Sequence, residues 1–394
     1  MASTDIDSEP SRALVLLMAI ACGTMVAALY YAQTLIDLIG PEIGLSMALA
    51  GTIVTLTQLG YGLGLMLIVP LSDLFENKRL ILIATAGAVT GSIGIATSTG
   101  PITFLLASLV TGICAVGAQI LVPLAAHLSS PARQGRTIGL VMSGLLTGIM
   151  LARPTASFVA EHAGWRAVFW LSAGIMATIG AALAFKLPAR RPETRMRYGA
   201  ILLSTIALIR DHPTLRLRAT YQAAMFITFN LFWTVAPLVL IHRFHFDQDQ
   251  IALFALAGAG GALAAPIAGW LADHGKARPT TVAGMLILTL SFLAADRAVV
   301  AGSVLAFGVT AVLIDGAVQL NQISGQKLIF ALSAEARGRL NAAYMSIVFL
   351  FGASGSLIGS LGYAAGGWHL SALIGAGIGA FALVIFAVFD RKRG

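Results

Sequence analysis

Charged side chains are scarce in this sequence of 394 residues. Asp, Glu, Lys and Arg make up 11% of the chain, whereas soluble domains contain about 25% of these residues. Hydrophobic residues make up 58%, which exceeds the roughly 45–50% of an ordinary globular composition. The composition therefore excludes a water-soluble domain and predicts a protein of the lipid bilayer.

Cysteine is also rare. The two cysteines, Cys22 and Cys114, lie in apolar runs at unrelated positions. A disulfide framework or a cysteine-based metal site is excluded, because both need several cysteines at defined spacings. One polar loop resembles a metal site but has no organised ligand spacing, so we interpret it as a solvated loop: His242, Arg243, His245, Asp247 and Asp249. No metal or other cofactor is predicted.

Motifs for nucleotide chemistry are missing. Gly60, Gly62 and Gly64 alternate, but they lack the βαβ pattern that a dinucleotide-binding loop requires. The segment 269–276 has one residue too many for a phosphate-binding loop and lacks its Ser or Thr. A nucleophile, a base and an orienting group do not form one plausible cluster either. We therefore predict that the protein is not an enzyme.

Long apolar runs dominate what the sequence does contain. A helix needs about 20 apolar residues to cross the hydrocarbon core, and backbone groups in lipid must bond internally, which favours helices for runs this apolar. Twelve runs qualify, at 13–36, 46–70, 80–98, 102–126, 137–159, 166–186, 219–241, 250–272, 280–296, 299–323, 340–363 and 368–389. The predicted fold class is an all-α membrane protein with twelve transmembrane helices.

The basic residues predict the orientation. Lys and Arg accumulate on the cytoplasmic side of membrane proteins. Arg166, Arg243 and Arg297 fall in the loops that we assign to the outside, Arg153 lies within a run, and the remaining basic residues lie in the tails and the alternate loops. Both termini are therefore predicted to be cytoplasmic. The first eleven residues carry acids and no basic residue, unlike a signal peptide.

The formal net charge of +8 raises the question of a nucleic-acid partner. The basic residues are spread over short loops next to the membrane rather than gathered on one face. Topology and anionic lipid headgroups explain this distribution. We expect membrane lipids, and no nucleic acid, as partners.

Three landmarks repeat in the same order along the chain. Segment 70–79 carries Asp73 and is echoed 200 residues later by segment 270–278 with Asp273. The basic loop 132–136 returns as 336–339, and Gly164-Trp165-Arg166 returns as Gly367-Trp368-His369. Such a repeat indicates two related halves. We predict an N-terminal bundle at 1–187, a cytoplasmic linker at 188–218 with a short interfacial helix at 198–210, and a C-terminal bundle at 219–394.

Polar side chains inside the runs are the candidate substrate contacts. Gln33 lies near the end of the first run, Gln119 lies past the middle of the fourth, and Asn230 and Trp233 share one face of the seventh. Each has a structural alternative, because amides also bond neighbouring helices and aromatic residues anchor at the membrane surface. Both readings stay open from the sequence.

Two ionisable residues inside the runs are costly and therefore informative. A guanidinium in the hydrocarbon costs about 2.5–3.5 kcal/mol on insertion scales. Arg153 either snorkels to the surface or acts as a partner for an anion, a substrate or an acid. Asp315 either is fixed by amide partners or alternates between environments and carries a proton. We name Arg153 and Gln119 as candidate partners of Asp315.

The whole pattern resembles the major facilitator superfamily. The resemblance rests on twelve spans in two halves, the central basic loop, and the Asp-plus-basic turns after the second and eighth runs. Tyr-Tyr-Ala-Gln at 30–33, Arg-Gln-Gly-Arg at 133–136 and Gly-Trp-Arg at 164–166 resemble bacterial drug:proton antiporters and sugar-efflux permeases. The family turn reads Gly-x-Leu-Ala-Asp-Arg-x-Gly-Arg-Arg, and here Val69, Leu74 and Glu76 depart from it.

This resemblance implies fold, mechanism and roles. It implies two pseudo-symmetric six-helix bundles that alternate access to a central cavity, as a monomer in the bacterial inner membrane. The implied gating residues are Asp73, Lys78, Arg79, Arg136 and Asp273. Many proton antiporters of the family carry an Arg in the fourth helix, which segment 109–114 lacks, and we hypothesise that Arg153 and Asp315 substitute for it.

Three functions follow as hypotheses. The first is proton-coupled efflux of a small drug-like, amphiphilic or sugar-like solute. The second is uptake of a metabolite anion through Arg153. The third, a membrane enzyme or a receptor that transports nothing, is opposed by the missing catalytic cluster.

Overall fold

The first half of the chain is helical in the residues that the structure describes. The computed structural model describes residues 10–130, 133–192, 197–333 and 336–390. The acidic residues of the N-terminal tail lie outside the described residues. Ala132, at the start of the basic loop 132–136, and Arg195, in the predicted linker, lie outside them as well. The helices of this half are α1 Arg12–Ala27, α2 Ile36–Glu42, α3 Thr52–Leu67, α4 Asn77–Thr97, α5 Pro101–Cys114, α6 Gly117–His127, α7 Gln134–Ala163 and α8 Trp165–Lys186.

The second half repeats this arrangement after a connecting helix. The connecting helix is α9 Tyr198–Asp211. The helices that follow are α10 Pro213–Phe244, α11 Gln248–Gly258, α12 Ala264–Asp273, α13 Ala277–Val300, α14 Val304–Phe330, α15 Arg337–Gly352 and α16 Ser354–Phe389. Short 3-10 turns occur at Tyr31–Thr34, Met47–Leu49, Val69–Asp73 and Ala259–Leu263.

Several predicted runs cross as broken helices. The first is helical only to Ala27 and continues into the turn that holds Gln33, so the prediction that its helix extends to Gln33 is wrong. The eighth is split into α11 and α12 by the glycine-rich turn Ala259–Leu263. In the described residues, nine helical segments are long and apolar enough to span by themselves, and one of them, Arg337–Phe389, holds the last two crossings. The chain bends between these two crossings at Gly366 and Gly367.

The connecting helix lies where the sequence predicted one, but the following crossing begins earlier than predicted. Pro213 occupies the first turn of α10, where its missing N–H costs nothing. Arg216 and Arg218 therefore belong to the seventh crossing and not to the predicted linker 188–218. Arg218 is buried, and its guanidinium donates to Asp390 Oδ2 at 3.0 Å and to Thr281 Oγ1 at 2.9 Å.

Glycines allow the closest helix crossings. In the first half, a Cβ added to Gly148 of α7 would lie 2.1 Å from the carbonyl oxygen of Gly23 in α1. In the second half, a Cβ added to Gly355 of α16 would lie 2.0 Å from the carbonyl oxygen of Ile227 in α10. Small residues permit such backbone contact between helices in lipid. The two crossings occupy equivalent places in the two bundles.

The two bundles meet tightly at the end remote from the turns with Asp73 and Asp273. There the Gly51 amide donates to Ser360 Oγ at 3.2 Å, and Thr55 Oγ1 donates to the Ala353 carbonyl at 2.8 Å. On the other side of the interface, the Gln248 amide donates to Glu161 Oε2 at 3.0 Å. We call this the closed end.

The other end of the interface is looser. Among the described residues, the packing of α7 on the second half is chiefly on α11 rather than α12. Leu140 of α7 and Ile267 of α12 are 46% and 57% exposed. Helix α9 connects the halves here, because Tyr198 donates to the Leu67 carbonyl at 2.7 Å and Arg339 donates to Ser204 at 3.1 Å. We call this the open end.

Substitution of Gly148 tests the helix crossing. We expect Gly148→Ala to destabilise the protein by about 1–3 kcal/mol, because the added methyl overpacks a backbone contact. Gly139→Ala is the matched control on the same helix, since a Cβ there meets nothing within 4 Å. Melting curves of both variants in detergent check the expectation. Equal melting temperatures would show that the crossing tolerates a methyl group.

Candidate functional site

A polar cluster lies at the middle of the interface between the two bundles. We call it the central cluster, and its members are Gln33, Gln58, Arg153, Asn230, Trp233 and Asp315. The first three belong to the N-terminal half and the last three to the C-terminal half. Each lies on a different element except Asn230 and Trp233, which α10 places on one face, as their spacing predicted.

Asn230 is the hydrogen-bonding centre of this cluster. Its Oδ1 accepts from Gln33 Nε2 at 2.9 Å and from Gln58 Nε2 at 2.8 Å. Its Nδ2 donates to Gln58 Oε1 at 2.7 Å and to the Gly352 carbonyl at 3.0 Å. All three amide side chains are fully buried. The bundles are thus joined by a connected set of neutral hydrogen bonds, which buried amides require.

Arg153 points into the interface instead of snorkelling to the surface. Its side chain is 4% exposed, and its Nε donates to Gln33 Oε1 at 2.8 Å. The guanidinium carbon lies 5.1, 5.0 and 4.4 Å from the ring centres of Tyr30, Phe229 and Trp233. Its Nη2 is buried and has no hydrogen-bond partner in the described part of the chain. Aromatic faces therefore stabilise this cation in place of an anion.

Asp315 accepts a hydrogen bond from Trp233 rather than from Arg153. The distance from Trp233 Nε1 to Asp315 Oδ1 is 2.7 Å. Among the described residues, Asp315 and Arg153 form no direct ion pair, and Trp233 contacts both of them. The two residues therefore act on each other through space rather than as a hydrogen-bonded pair, since Asp315 bonds the Trp233 indole and Arg153 bonds Gln33.

The broken eighth crossing packs directly on Asp315. A Cβ added to Gly261 would lie 2.4 Å from the Cβ of Asp315, and one added to Gly258 would lie 2.3 Å from the Trp233 ring. The glycine-rich turn lets the backbone approach the acid in the way that discontinuous transporter helices approach their ligands. Asp315 itself is partly exposed.

Gln119 is near the cluster but has a different partner. Its Nε2 donates to the hydroxyl of Tyr61 at 2.9 Å, and not to Asp315 as we had suggested. The Tyr61 ring in turn packs edge-on against Phe349 of the other half, with ring centres 4.7 Å apart. Gln119 thus reaches the interface through Tyr61.

Two members of this neighbourhood, Gln58 and Phe229, are absent from the candidates that the sequence gives. Gln58 has the same signal as Gln33, which is an amide within an apolar run. Phe229 has no such signal, because an aromatic residue in a transmembrane run usually belongs to the packing. The sequence leaves Tyr30 open between an interfacial anchor and a cavity-lining residue, and the structure places both Tyr30 and Phe229 beside Arg153. Only the fold brings their rings to the guanidinium.

The predicted gating residues lie at or near the open end. Arg79 contacts Glu76 at 3.5 Å, and Arg191 contacts the same carboxylate at 3.6 Å. Asp73 takes part in none of the ion pairs among the described residues, and the cations acting on it through space are Arg339, Arg190 and His127. Glu76 occupies the position of the second Gly in the family turn, and its carboxylate pairs with Arg79.

The second copy of the turn is paired differently. Asp273 accepts a hydrogen bond from Lys327, which lowers the pKa of the Asp273 carboxyl. Lys78 is partly buried near the start of α4, and Arg136 is exposed in the first turn of α7. At the closed end, Arg166 donates to Glu42, and this bond is the main reason for the lowered pKa of that carboxyl.

The segment predicted as a solvated loop with several metal-binding side chains is partly helical, because His242 and Arg243 belong to α10 and Asp249 belongs to α11. His242 lies 3.5 Å from Asp37 and 3.1 Å from the Tyr363 hydroxyl. Asp249 faces His162 at 3.7 Å. No group of three or more metal-binding side chains occurs in the described ranges.

The arrangement places a buried polar centre between two similar bundles. The sequence model of the Major Facilitator Superfamily matches this chain at residues 14–217 and 218–394. The chain belongs to this superfamily. It is therefore a secondary transporter in the membrane, and not an enzyme, which confirms the resemblance, the fold class and the prediction on catalysis.

Individual relatives agree with this assignment. An uncharacterized transporter of Escherichia coli O157:H7 is 42% identical over 384 residues, covering 97% of each chain. A chloramphenicol resistance protein of Streptomyces lividans is 27% identical, covering 82% of this chain and 81% of that protein. The crystal structure of a D-xylose–proton symporter superposes with a TM-score of 0.76 at 16% identity, covering 95% and 96% of the two chains.

Replacement of Asn230 tests whether the cluster holds the bundles together. We expect Asn230→Leu to lower stability, because each buried partner left unsatisfied costs about 1–3 kcal/mol. The control is Thr234→Val, which removes a single buried hydrogen bond, to Ser356 within one half. The drop in melting temperature in detergent should be clearly larger for Asn230→Leu. Equal drops would contradict a joining role for Asn230.

Proposed function

We propose that the protein is a proton-coupled exporter of a small drug-like or amphiphilic solute. In this proposal the two bundles rock about the central cluster as a monomer, joined by the cytoplasmic segment 188–212, which ends where α10 begins at Pro213. The protein lies in the bacterial inner membrane with both termini in the cytoplasm. The closed end then faces outward, and the open end faces the cytoplasm.

One observation carries this proposal. Arg153 and Asp315, the ionisable residues inside the membrane region that the sequence singled out, both lie at the interface that must open and close. A charge buried away from water is costly unless it is compensated, and Asp315 is both partly exposed and held by a single indole N–H. A carboxylate in this position can exchange a proton when the bundles expose it to either side. Proton exchange at the moving interface is what coupling requires.

The proposed substrate site consists of Gln33, Gln119, Arg153, Asn230 and Trp233. Their amides, guanidinium and indole provide polar contacts, and the rings of Tyr30 and Phe229 provide apolar surface beside them. Such a surface suits a solute with one polar and one aromatic or apolar part. The kinship with a chloramphenicol resistance protein supports this solute class for the present chain.

Gating is assigned to Asp73, Lys78, Arg79, Arg136 and Asp273. These residues lie at or near the open end, where closure would bring the turns of the two halves together. The pairs with Glu76 and Lys327 then describe the open state, and they would rearrange when this end closes.

Asp315→Asn tests the coupling role. We expect the variant to lose substrate-driven proton flux, because an amide has no exchangeable acidic proton at neutral pH. The measurement uses proteoliposomes with a trapped pH-sensitive dye and a compound panel that includes chloramphenicol and D-xylose. Asp296→Asn is the control, since that acid contacts His369 at 3.0 Å outside the cluster. Unchanged pH dependence in Asp315→Asn would refute the proposal.

A second candidate function is uptake of a metabolite anion. The unpartnered Nη2 of Arg153 favours it, because a bidentate guanidinium is suited to a carboxylate or phosphate. Arg153→Gln should abolish transport of anions and spare neutral solutes if this candidate holds. Measuring whether whole cells accumulate or extrude labelled compounds distinguishes the two functions. Uptake of anions by Arg153→Gln at the wild-type level would exclude this candidate.

A further inference from the structure

We propose that Trp233 is the positioning residue that couples substrate binding at Arg153 to proton exchange at Asp315. This inference rests on the proposed function and adds a specific link between its two parts. The indole ring contacts each of the two ionic groups. A change at one group therefore reaches the other through this ring.

The contacts of Trp233 are of three different kinds. Its ring face lies 4.4 Å from the Arg153 guanidinium carbon, and its Nε1 donates to Asp315 Oδ1 at 2.7 Å. Its ring edge rests on Gly258, the last residue before the break in the eighth crossing, where any Cβ would lie 2.3 Å from the ring. The side chain is 1% exposed. The ring therefore has little freedom to move without changing one of these contacts.

Asp315 bonds the indole and forms no direct ion pair with Arg153 among the described residues. A buried Arg–carboxylate pair is costly to separate, because each ion would be left uncompensated. In the observed arrangement the guanidinium keeps its Nη2 for a substrate acceptor group, and the indole bonds only one oxygen of the carboxylate. Both sites thus remain available in the same conformation.

The coupling step follows from the chemistry of the carboxylate. When a proton from the open aqueous side binds Asp315, its oxygen becomes a weaker acceptor and the bond from Trp233 Nε1 loses its charge assistance. The more weakly held indole can then shift on Gly258 and alter its stacking on Arg153. Conversely, a substrate that binds Arg153 and shifts its guanidinium changes the contact between the guanidinium and the Trp233 ring face. Arg153 and the Tyr30 hydroxyl are the charged and titratable groups that act on Asp315 from neighbouring elements.

Trp233→Phe removes the indole N–H but keeps an aromatic ring face, so it tests the two contacts separately. The indole N–H bonds the carboxylate oxygen, so its removal favours the protonated form of Asp315. We expect the acidic midpoint of the transport pH profile to move to higher pH by about one unit. The Asp315→Asn, Trp233→Phe double variant should behave like Asp315→Asn alone, since Trp233 acts through the carboxylate.

Trp368→Phe is the matched control. Trp368 is also buried, and its Nε1 has no hydrogen-bond partner among the described residues. Loss of this indole N–H should leave the pH profile of the wild type unchanged. A general effect of exchanging a buried Trp for Phe would appear in both variants.

A second readout does not depend on a known substrate. Tryptophan emission of the detergent-solubilised protein, titrated with acid, should contain a component that disappears in Trp233→Phe and in Asp315→Asn but persists in Trp368→Phe. The inference is overturned if Trp233→Phe keeps the wild-type pH profile and emission titration. The proposed function fails instead if the wild type moves no protons with any compound of the panel. The two failures are therefore distinguishable.

Discussion

The structure depends on one electrostatic constraint, which is a buried guanidinium with no carboxylate in contact. Arg153 lies in the middle of the bundle interface, bonded to a neutral amide and surrounded by three aromatic rings. Such a cation is tolerated because ring faces and amide oxygens replace part of its hydration. The rest of the central cluster follows from this, since Gln33 must be oriented by Asn230 to present its oxygen to Arg153. The same arrangement leaves Asp315 to be held by Trp233.

The fold places this cluster between two bundles that can separate. Glycine contacts within each bundle bring backbones together, as at Gly148 and Gly355, and make each bundle a tightly packed body. Between the bundles, the contacts are stronger at the closed end than at the open end. The cluster lies where the tight part of the interface gives way to the loose part. In the proposed cycle, motion of one bundle against the other would change the surroundings of these ionisable residues.

Much of the fold was predictable because apolar run length and repeat spacing are direct consequences of bilayer thickness and duplication. The repeated turns at Asp73 and Asp273 indicated two halves, and the amides and ions inside the runs indicated the interface. The break in the eighth crossing was harder to predict. Gly258, Gly260 and Gly261 do not interrupt the apolar run, so the sequence of the broken segment resembles that of a continuous helix. The partners of each polar residue were not predictable either. Glu76 pairs with Arg79, and Trp233 contacts both Arg153 and Asp315. Both outcomes depend on three-dimensional geometry.

The central claim is that the two ends of the interface open in turn and that Asp315 controls the exchange. Spin-label distances across both ends test it most directly, with labels at Leu140 and Ile267 for the open end and at Leu49 and Leu361 for the closed end, all exposed positions. On a change of pH, the account predicts that one distance lengthens while the other shortens in the wild type, and that neither changes in Asp315→Asn. Distances that change together, or that respond equally in Asp315→Asn, would contradict the account.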